Sequence, residues 1–337
     1  MKFDVILDPD SSPQEVCELG LLAESYGLNA VWTSNYPSSR DPFISLCPLA
    51  LASSKIRLGP LVITPYEMHP YKISKALDSL NELCGGRANI LTGGPTGVNA
   101  AMGMDLKRMV GRTRECVEIL QGVSPDEPLN YQGKIYQVWG YKPTWATAPP
   151  PRIYIGANKE QMTDMATELA DNIMLGDTTE ERLGSSLQLI KEKLKSHGRK
   201  REDINVSCLV AWHVKEDQKK SRSEAKRHLA LRGMLDVWFL STFLNEEECQ
   251  VVDENRGNIF KAYKQKTDVI EGVPAAIVDK LVDNLTMSGD DADVDKHIET
   301  LRRYRDAGLD QVAFKLHEDQ AAAIKIIGER VLPAFQA

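Results

Sequence analysis

The chain has 337 residues, with 48 Asp and Glu against 41 Lys and Arg, for a formal charge of −7. An acidic balance argues against a nucleic-acid partner, because a phosphate backbone is held by a basic face. The six cysteines, Cys17, Cys47, Cys84, Cys116, Cys208 and Cys249, form no CxxC pair, which removes the common zinc and dithiol patterns and suits a reducing, cytoplasmic setting.

Short apolar runs then alternate with helix-period stretches. Phe3–Asp8 reads as a strand with no apolar leader before it. Ser12, Pro13 and Glu15 open a helix that Gly27 closes after Tyr26. Ala30–Thr33 is a strand, Pro42–Ser53 a helix, Ile56–Ile63 a strand and Pro70–Leu83 a helix. Ala88–Thr92 and the helix Lys107–Gln121 follow. The rhythm breaks at Leu129–Trp139, where aromatic alternation around Gln132-Gly133 predicts a hairpin within an insertion over 129–151. Arg152–Ile155, a helix Lys159–Leu169, Asn172–Leu175, a helix Glu180–Lys195 and Val206–Val214 restore the alternation. Asp217–Arg232 predicts a charged helix, and Lys215–Arg232 reads as a solvated face. Residues 233–273 carry Trp238, Phe239, Phe243, Phe260 and Tyr263 and predict a helical insertion that covers a pocket. Helices Pro274–Met287 and Asp293–Ala307, a strand Gln311–Leu316 and a terminal helix end the chain. No apolar run reaches the roughly 18 residues of a membrane span, so no membrane partner is expected.

Eight strands besides the hairpin, separated by helices, predict parallel βαβ pairing. The expected fold is α/β, a (β/α)8 TIM barrel spanning 1–337 as one domain, with the hairpin insertion after helix four and the helical insertion before the last strand. A doubly wound open sheet is the alternative. Barrel enzymes build their sites at C-terminal strand ends. That rule selects Asp8, Asn35 and Tyr36, then Thr64, Tyr66, Glu67 and His69, then Thr92 and Gly93. Later strand ends contribute Gly156, Ala157, Asn158, Gly176, Asp177, Trp212, His213, Lys315 and His317.

Gly156-Ala157-Asn158 leads from a strand into a helix N-terminus, where free N–H groups and the helix dipole favour an anion. An ordinary N-cap at Asn158 is the alternative. Arg112 or Arg114 would add a guanidinium. Gly93–Gly97 lacks the P-loop Lys-Ser/Thr and reads either as a wide pocket-lining turn or as a plain tight turn. His69 reads either as a catalytic group or as the start of a helix. Lys315 and His317 read either as binders of an anionic substrate or as surface residues, and His197, His228 and His297 read as solvated. No HExxH or comparable ligand spacing points to a metal, and no Gly-x-Ser-x-Gly elbow is present.

The stretch from Ile56 to Gly94 resembles the luciferase-like flavin and deazaflavin oxidoreductase superfamily. It carries His69-Pro70, Leu77–Leu80 and Gly85-Gly86-Arg87 in that family's order. Arg112–Glu115, Gln132–Tyr136, Ile153–Ala157, Ala170–Leu175 and Ala307–Asp310 extend the likeness over nearly the whole chain. The nearer branch resembles the methylene-tetrahydromethanopterin reductases, whose Trp-x-x-Asp-His meets Trp32-Thr33-Ser34-Asn35-Tyr36 here, so Asn35 and Tyr36 stand in for the acid and the imidazole. The resemblance implies a flavin-type phosphate at Gly156–Asn158 with Asn158 and Gln161 as donors, and a non-prolyl cis bond near Leu61-Val62 under the ring. Thr92, Gly93, Ala157, Gly176 and Arg112 complete the implied cofactor contacts, and Asn35, Tyr36 and His69 the catalytic set. It further implies a monooxygenase using reduced FMN on a small-molecule substrate, with a homodimer and a separate flavin reductase as partners. A reductase using coenzyme F420 and a non-catalytic flavin-binding barrel are the alternatives.

Overall fold

Each strand of the main sheet pairs in parallel with the next, and the last returns to the first. The computed structural model describes residues 1–232 and 235–336. Strands β1 (Lys2–Leu7), β2 (Ala30–Ser34), β3 (Arg57–Leu61) and β4 (Asn89–Thr92) follow one another around the ring. Strands β5 (Leu129–Gln132) and β6 (Gln137–Tyr141) stand apart as the antiparallel hairpin. The ring continues through β7 (Arg152–Gly156), β8 (Asn172–Leu175) and β9 (Asn205–Val214). After β10 (Thr286–Gly289), strand β11 (Gln311–Lys315) joins β9 to β1, and the eight-stranded (β/α)8 barrel is closed.

Helices α1 (Pro13–Tyr26), α2 (Pro42–Ala52) and α3 (Pro70–Leu83) follow the first three strands. Ser12 and Glu15 cap α1 reciprocally, and Gly27 ends it at φ 84°, a left-handed angle that glycine adopts without a Cβ clash. A short α4 (Gly97–Ala101), capped by Thr96 and Asn99, precedes α5 (Met109–Gln121). The expected start of that helix at Lys107 is therefore two residues early: Arg108 takes a left-handed φ of 60° and breaks the turn. Helices α6 (Glu160–Leu169), α7 (Glu180–Ser196) and α8 (Gln218–Arg227) continue the alternation.

Helices α9 (Val237–Leu240), α10 (Glu246–Glu254) and α11 (Arg256–Lys264) form the helical insertion; Gly233, its expected first residue, lies outside the described residues. They pack with α8 and α12 (Ala275–Leu285) around a second apolar core that includes Leu229, Phe239, Val252, Ile259 and Leu281. Helices α13 (Val294–Asp306) and α14 (Gln320–Ile326) flank β11. The helix expected over Pro274–Met287 stops at Leu285, and Thr286–Gly289 pairs instead with Ala211–Val214 of β9. Strand β9 runs beyond its register with β8 and β11, so its far end offers a free ladder that β10 takes up. Among the described residues, no helix is long and apolar enough to cross a membrane.

Strand residues alternate between two cores. Val5, Leu7, Val31, Ile155 and Phe314 point outward to the helices, while Ile6, Trp32, Leu61, Leu91, Tyr154, Met174 and Ala313 fill the barrel. The hairpin is tied down by one carboxylate. Glu115 on α5 accepts the backbone N–H groups of Lys134 (2.9 Å), Ile135 (3.0 Å) and Tyr136 (2.8 Å). Charged acceptors make the stronger hydrogen bonds, and orphaned N–H groups are costly, so Glu115→Ala is expected to lose about 2 kcal/mol of stability. Urea unfolding measures the loss, and unchanged proteolysis of residues 129–141 in the variant would argue against the anchoring role.

Candidate active site at the barrel mouth

The site follows from the period of the strands. Two residues beyond the inward-facing Leu91, Tyr154 and Met174 stand Gly93, Gly156 and Gly176, at the ends of three neighbouring strands. Two residues beyond Ile6, Trp32 and Ala313 stand Asp8, Ser34 and Lys315, also on neighbouring strands. The floor of the mouth is thus divided into a glycine half and a polar half.

Two of these glycines, Gly93 and Gly156, are not required by the described fold. A Cβ on Gly93 would meet nothing nearer than 3.5 Å, and one on Gly156 nothing nearer than 3.7 Å, both ordinary contacts. Neither residue has a left-handed φ. Glycine inside a strand is destabilising relative to alanine. Bare backbone here makes a trough that suits a flat group lying close to the main chain. The Leu61-Val62 peptide beside it is cis, as the resemblance implies, and Val62 packs against the inner cluster.

The trough ends at α6. Lys159 is the N-cap of that helix and provides no side-chain cap, so among the described residues the first-turn N–H groups keep no side-chain acceptor. The alternative of an N-cap at Asn158 is corrected: its Oδ1 instead accepts the Gly176 N–H at 2.7 Å and ties two strand ends together. Trp238 from the insertion lies over this turn, 4.2 Å from the Arg182 guanidinium carbon and 5.0 Å from Lys159 Nζ. Arg182 also donates to the Asn158 carbonyl at 3.4 Å. A helix N-terminus with two adjacent cations favours an anion. Lys159, Arg182 and Trp238 were missed from the sequence; each is unremarkable on its own element, and only the folded insertion brings the indole there.

On the polar half, Lys315 Nζ donates to Leu7 O (2.9 Å) and Ser34 Oγ (2.7 Å) and lies 5.6 Å from the centre of the Tyr36 ring. Burial lowers the ammonium from the usual 10.5 to about 7, with Asp8 opposing. Burial likewise pushes the Tyr36 hydroxyl up to about 12, so it keeps its proton at neutral pH. Lys315 and His317 are thus interior groups, and the surface reading of them is corrected.

Three imidazoles stack beside them. His317 lies 3.9 Å from His228 and 5.2 Å from His213, centre to centre. Their Nδ1 atoms face Asp8 Oδ2 (3.2 Å), the Glu224 carbonyl (2.9 Å) and Glu224 Oε1 (2.7 Å), so each Nδ1 carries the proton. Burial holds all three imidazoles below the ordinary range and keeps them neutral. The solvated reading of His228 fails for this reason, and that of His297 fails too, since it is buried and bonds Ser288 O. The Lys215–Arg232 run is likewise not simply a solvated face. Glu224 is buried against His213 and Lys215, and Arg232 is buried against Asp177 at 3.1 Å.

Asn35 donates to Val62 O (3.1 Å) and to Glu67 Oε2 (2.9 Å), while Glu67 Oε1 accepts the Thr64 N–H (2.6 Å). A carboxylate therefore stands beside position 35 after all, supplied from the loop after β3. His69 is exposed, caps α3 by accepting the Tyr71 N–H at 3.1 Å, and meets Tyr136 edge-on. Arg112 is held by Tyr136 Oη (2.8 Å) and the Lys107 carbonyl, over the Tyr66 ring. Arg114 pairs with Glu168. Gln161 is exposed on the first turn of α6, Ala157 belongs to the outer core, and Thr92 Oγ1 lies by Cys116.

The family model described as luciferase-like monooxygenase matches residues 1–311. Over 341 residues, covering 100% of both proteins, the chain is 28% identical to a 5,10-methylenetetrahydromethanopterin reductase of Archaeoglobus fulgidus. It is 21% identical over 343 residues to an F420-dependent glucose-6-phosphate dehydrogenase of Nakamurella multipartita, covering 96% of this chain and 93% of that one. The solved structure of the coenzyme F420 dependent tetrahydromethanopterin reductase from Methanopyrus kandleri has the same fold, with a TM-score of 0.81, 21% identity and 99% of each chain covered.

Proposed function

This chain belongs to the luciferase-like monooxygenase family and is an oxidoreductase, and from that premise we propose that it is a reductase dependent on a deazaflavin of the coenzyme F420 type. The observation that carries the proposal is the pair of neighbouring strand ends Gly93 and Gly156, whose Cβ positions are free of close contacts, leading to the N-terminus of α6. Such a trough suits a flat ring system with an anionic tail. The near-full-length likeness to a named reductase and to an F420-dependent dehydrogenase favours the deazaflavin over the reduced FMN and monooxygenase chemistry that the sequence suggested first.

When bound, the deazaflavin supplies hydride chemistry. The chain's own residues do the rest. The α6 N-terminus, Lys159 and Arg182 hold the anionic end. Gly93, Gly156 and Gly176 let the ring approach the main chain. Asn35 and Glu67 fix the Val62 carbonyl under it. Tyr36, which keeps its proton, donates a hydrogen bond at the substrate side, and the insertion helices exclude water.

Titration of the purified protein with F420 and with FMN, each oxidised and reduced, tests the proposal. F420 is expected to bind more tightly than about 100 μM, roughly 5.5 kcal/mol, and turnover is expected to be independent of oxygen. Tight FMN binding with oxygen-dependent turnover would overturn the proposal in favour of the monooxygenase.

A further inference from the structure

Resting on that reading of the mouth, we infer that Lys315 is the proton donor to the substrate, and that the substrate presents a carbonyl C=O or an aminal C–N bond whose heteroatom lies above it and takes the proton. Lys315 is the inward residue at the C-terminal end of the last barrel strand, on the polar half of the floor. Its two hydrogen bonds go to neutral acceptors, Leu7 O and Ser34 Oγ. An ammonium has three N–H groups, so one is left without a protein acceptor among the described residues. Among those residues Lys315 also forms no ion pair, in a chain whose other buried cation at the mouth, Arg232, has Asp177 at 3.1 Å. A buried amine without a counter-ion is costly, and an apolar residue of the same length would serve packing better. Groups of this kind cluster at sites of chemistry.

The surroundings hold the amine near its point of ionisation. Asp8 and Asp10 after β1 favour the charged form; Arg232 after α8 opposes it, and burial opposes it most. Tyr36 after β2 offers a ring face to it, and the stacked His213, His228 and His317 add no charge because they are neutral. The result is an amine that titrates at about 7 and can give up a proton under neutral conditions.

The step balances as follows. Hydride from a reduced deazaflavin forms the new C–H bond, and the π electrons of a carbonyl move to oxygen. The Lys315 N–H bond breaks, an O–H bond forms, and a neutral amine remains. For a cyclic aminal, one C–N bond breaks with its electron pair going to nitrogen, the Lys315 N–H bond breaks to protonate that nitrogen, and hydride forms the new C–H bond at the C=N⁺ carbon left behind. Solvent returns the proton to Lys315 when product leaves.

Two measurements test the inference. In the cofactor-free protein labelled at lysine ¹³Cε, the resonance missing from Lys315→Arg identifies the residue. It is expected to titrate near pH 7, and a midpoint above about 9.5, the range of an ordinary lysine, overturns the inference. With reduced F420 and 5,10-methylenetetrahydromethanopterin as the probe, Lys315→Met is expected to lower kcat by about 100-fold with F420 affinity unchanged. Wild-type kcat is expected to fall as pH rises through about 7, and both variants to lose that limb. Lys315→Arg keeps the charge without releasing the proton, so full activity in it also overturns the inference. Failure of the wild type to bind F420 would instead overturn the cofactor reading on which the inference rests.

Discussion

Replacing Gly156 with valine is expected to weaken F420 binding by more than about 100-fold, a loss near 3 kcal/mol, without destabilising the empty protein. The two halves of that expectation come from the same observation. A Cβ at position 156 meets only the Thr92 carbonyl at 3.7 Å and a Leu91 methyl at 3.9 Å. The empty fold has room for it, and the φ angle is not left-handed. Glycine in a strand costs about 0.5–1 kcal/mol relative to alanine, so the variant should unfold at the same or a higher urea concentration. In the trough, however, the valine methyl groups fill the space in which a ring must lie against the backbone. Isothermal titration and urea melts of wild type, Gly156→Ala and Gly156→Val make the comparison. Undiminished binding by the valine variant would show that the trough does not hold the cofactor. A destabilised valine variant would show that the glycine serves the fold.

The second large effect is in the dependence of stability on pH. His228 is lowered to about 4, first by burial and then by His213. Between the ordinary imidazole value and that point, the unfolded chain binds a proton that the folded chain refuses. The unfolded state therefore gains as pH falls, and this contribution to stability is complete above about 6.5 and shrinks below it by about 1.4 kcal/mol per pH unit. His228→Phe keeps an aromatic ring in the stack and removes the titration. Its stability relative to wild type is expected to rise by about 2 kcal/mol between pH 6.5 and pH 5. The comparison has to be made against wild type because buried Asp4 and Asp78, each raised to about 6, bind protons in the folded state and act in the opposite direction. Urea unfolding at pH 7.5, 6.5 and 5 decides the matter. Parallel stability curves for the two proteins would mean that His228 is charged in the fold.

The same histidines mark how far the sequence could be read. The barrel strands, most helices and the hairpin were legible because their signals are local. Ser12 with Glu15, Gly27 at the helix end, and runs such as Ala30–Thr33 act within a few residues. The exceptions were places where a partner outside the segment decides. Thr286–Gly289 follows a helical pattern without a break, yet it is a strand because β9 projects a free edge beside it.

For the site, the sequence by itself determined which residues stand at strand ends. Gly93, Gly156, Gly176, Asn35, Tyr36, Lys315 and His317 were all selectable on that ground. Only the tertiary structure decided what they do together. Three glycines stand side by side at the barrel mouth because β4 pairs with β7 across the hairpin, and β7 with β8. Asn35 meets Glu67 because β2 and β3 are neighbours. His228 lies in a charged helical segment and reads as solvated, but the fold stacks it on His317 and so keeps it neutral. The physical reason is common to all of them. Backbone preference acts over a few residues and is written along the chain, whereas burial and charge pairing depend on neighbours that are distant in sequence and meet only when the barrel closes.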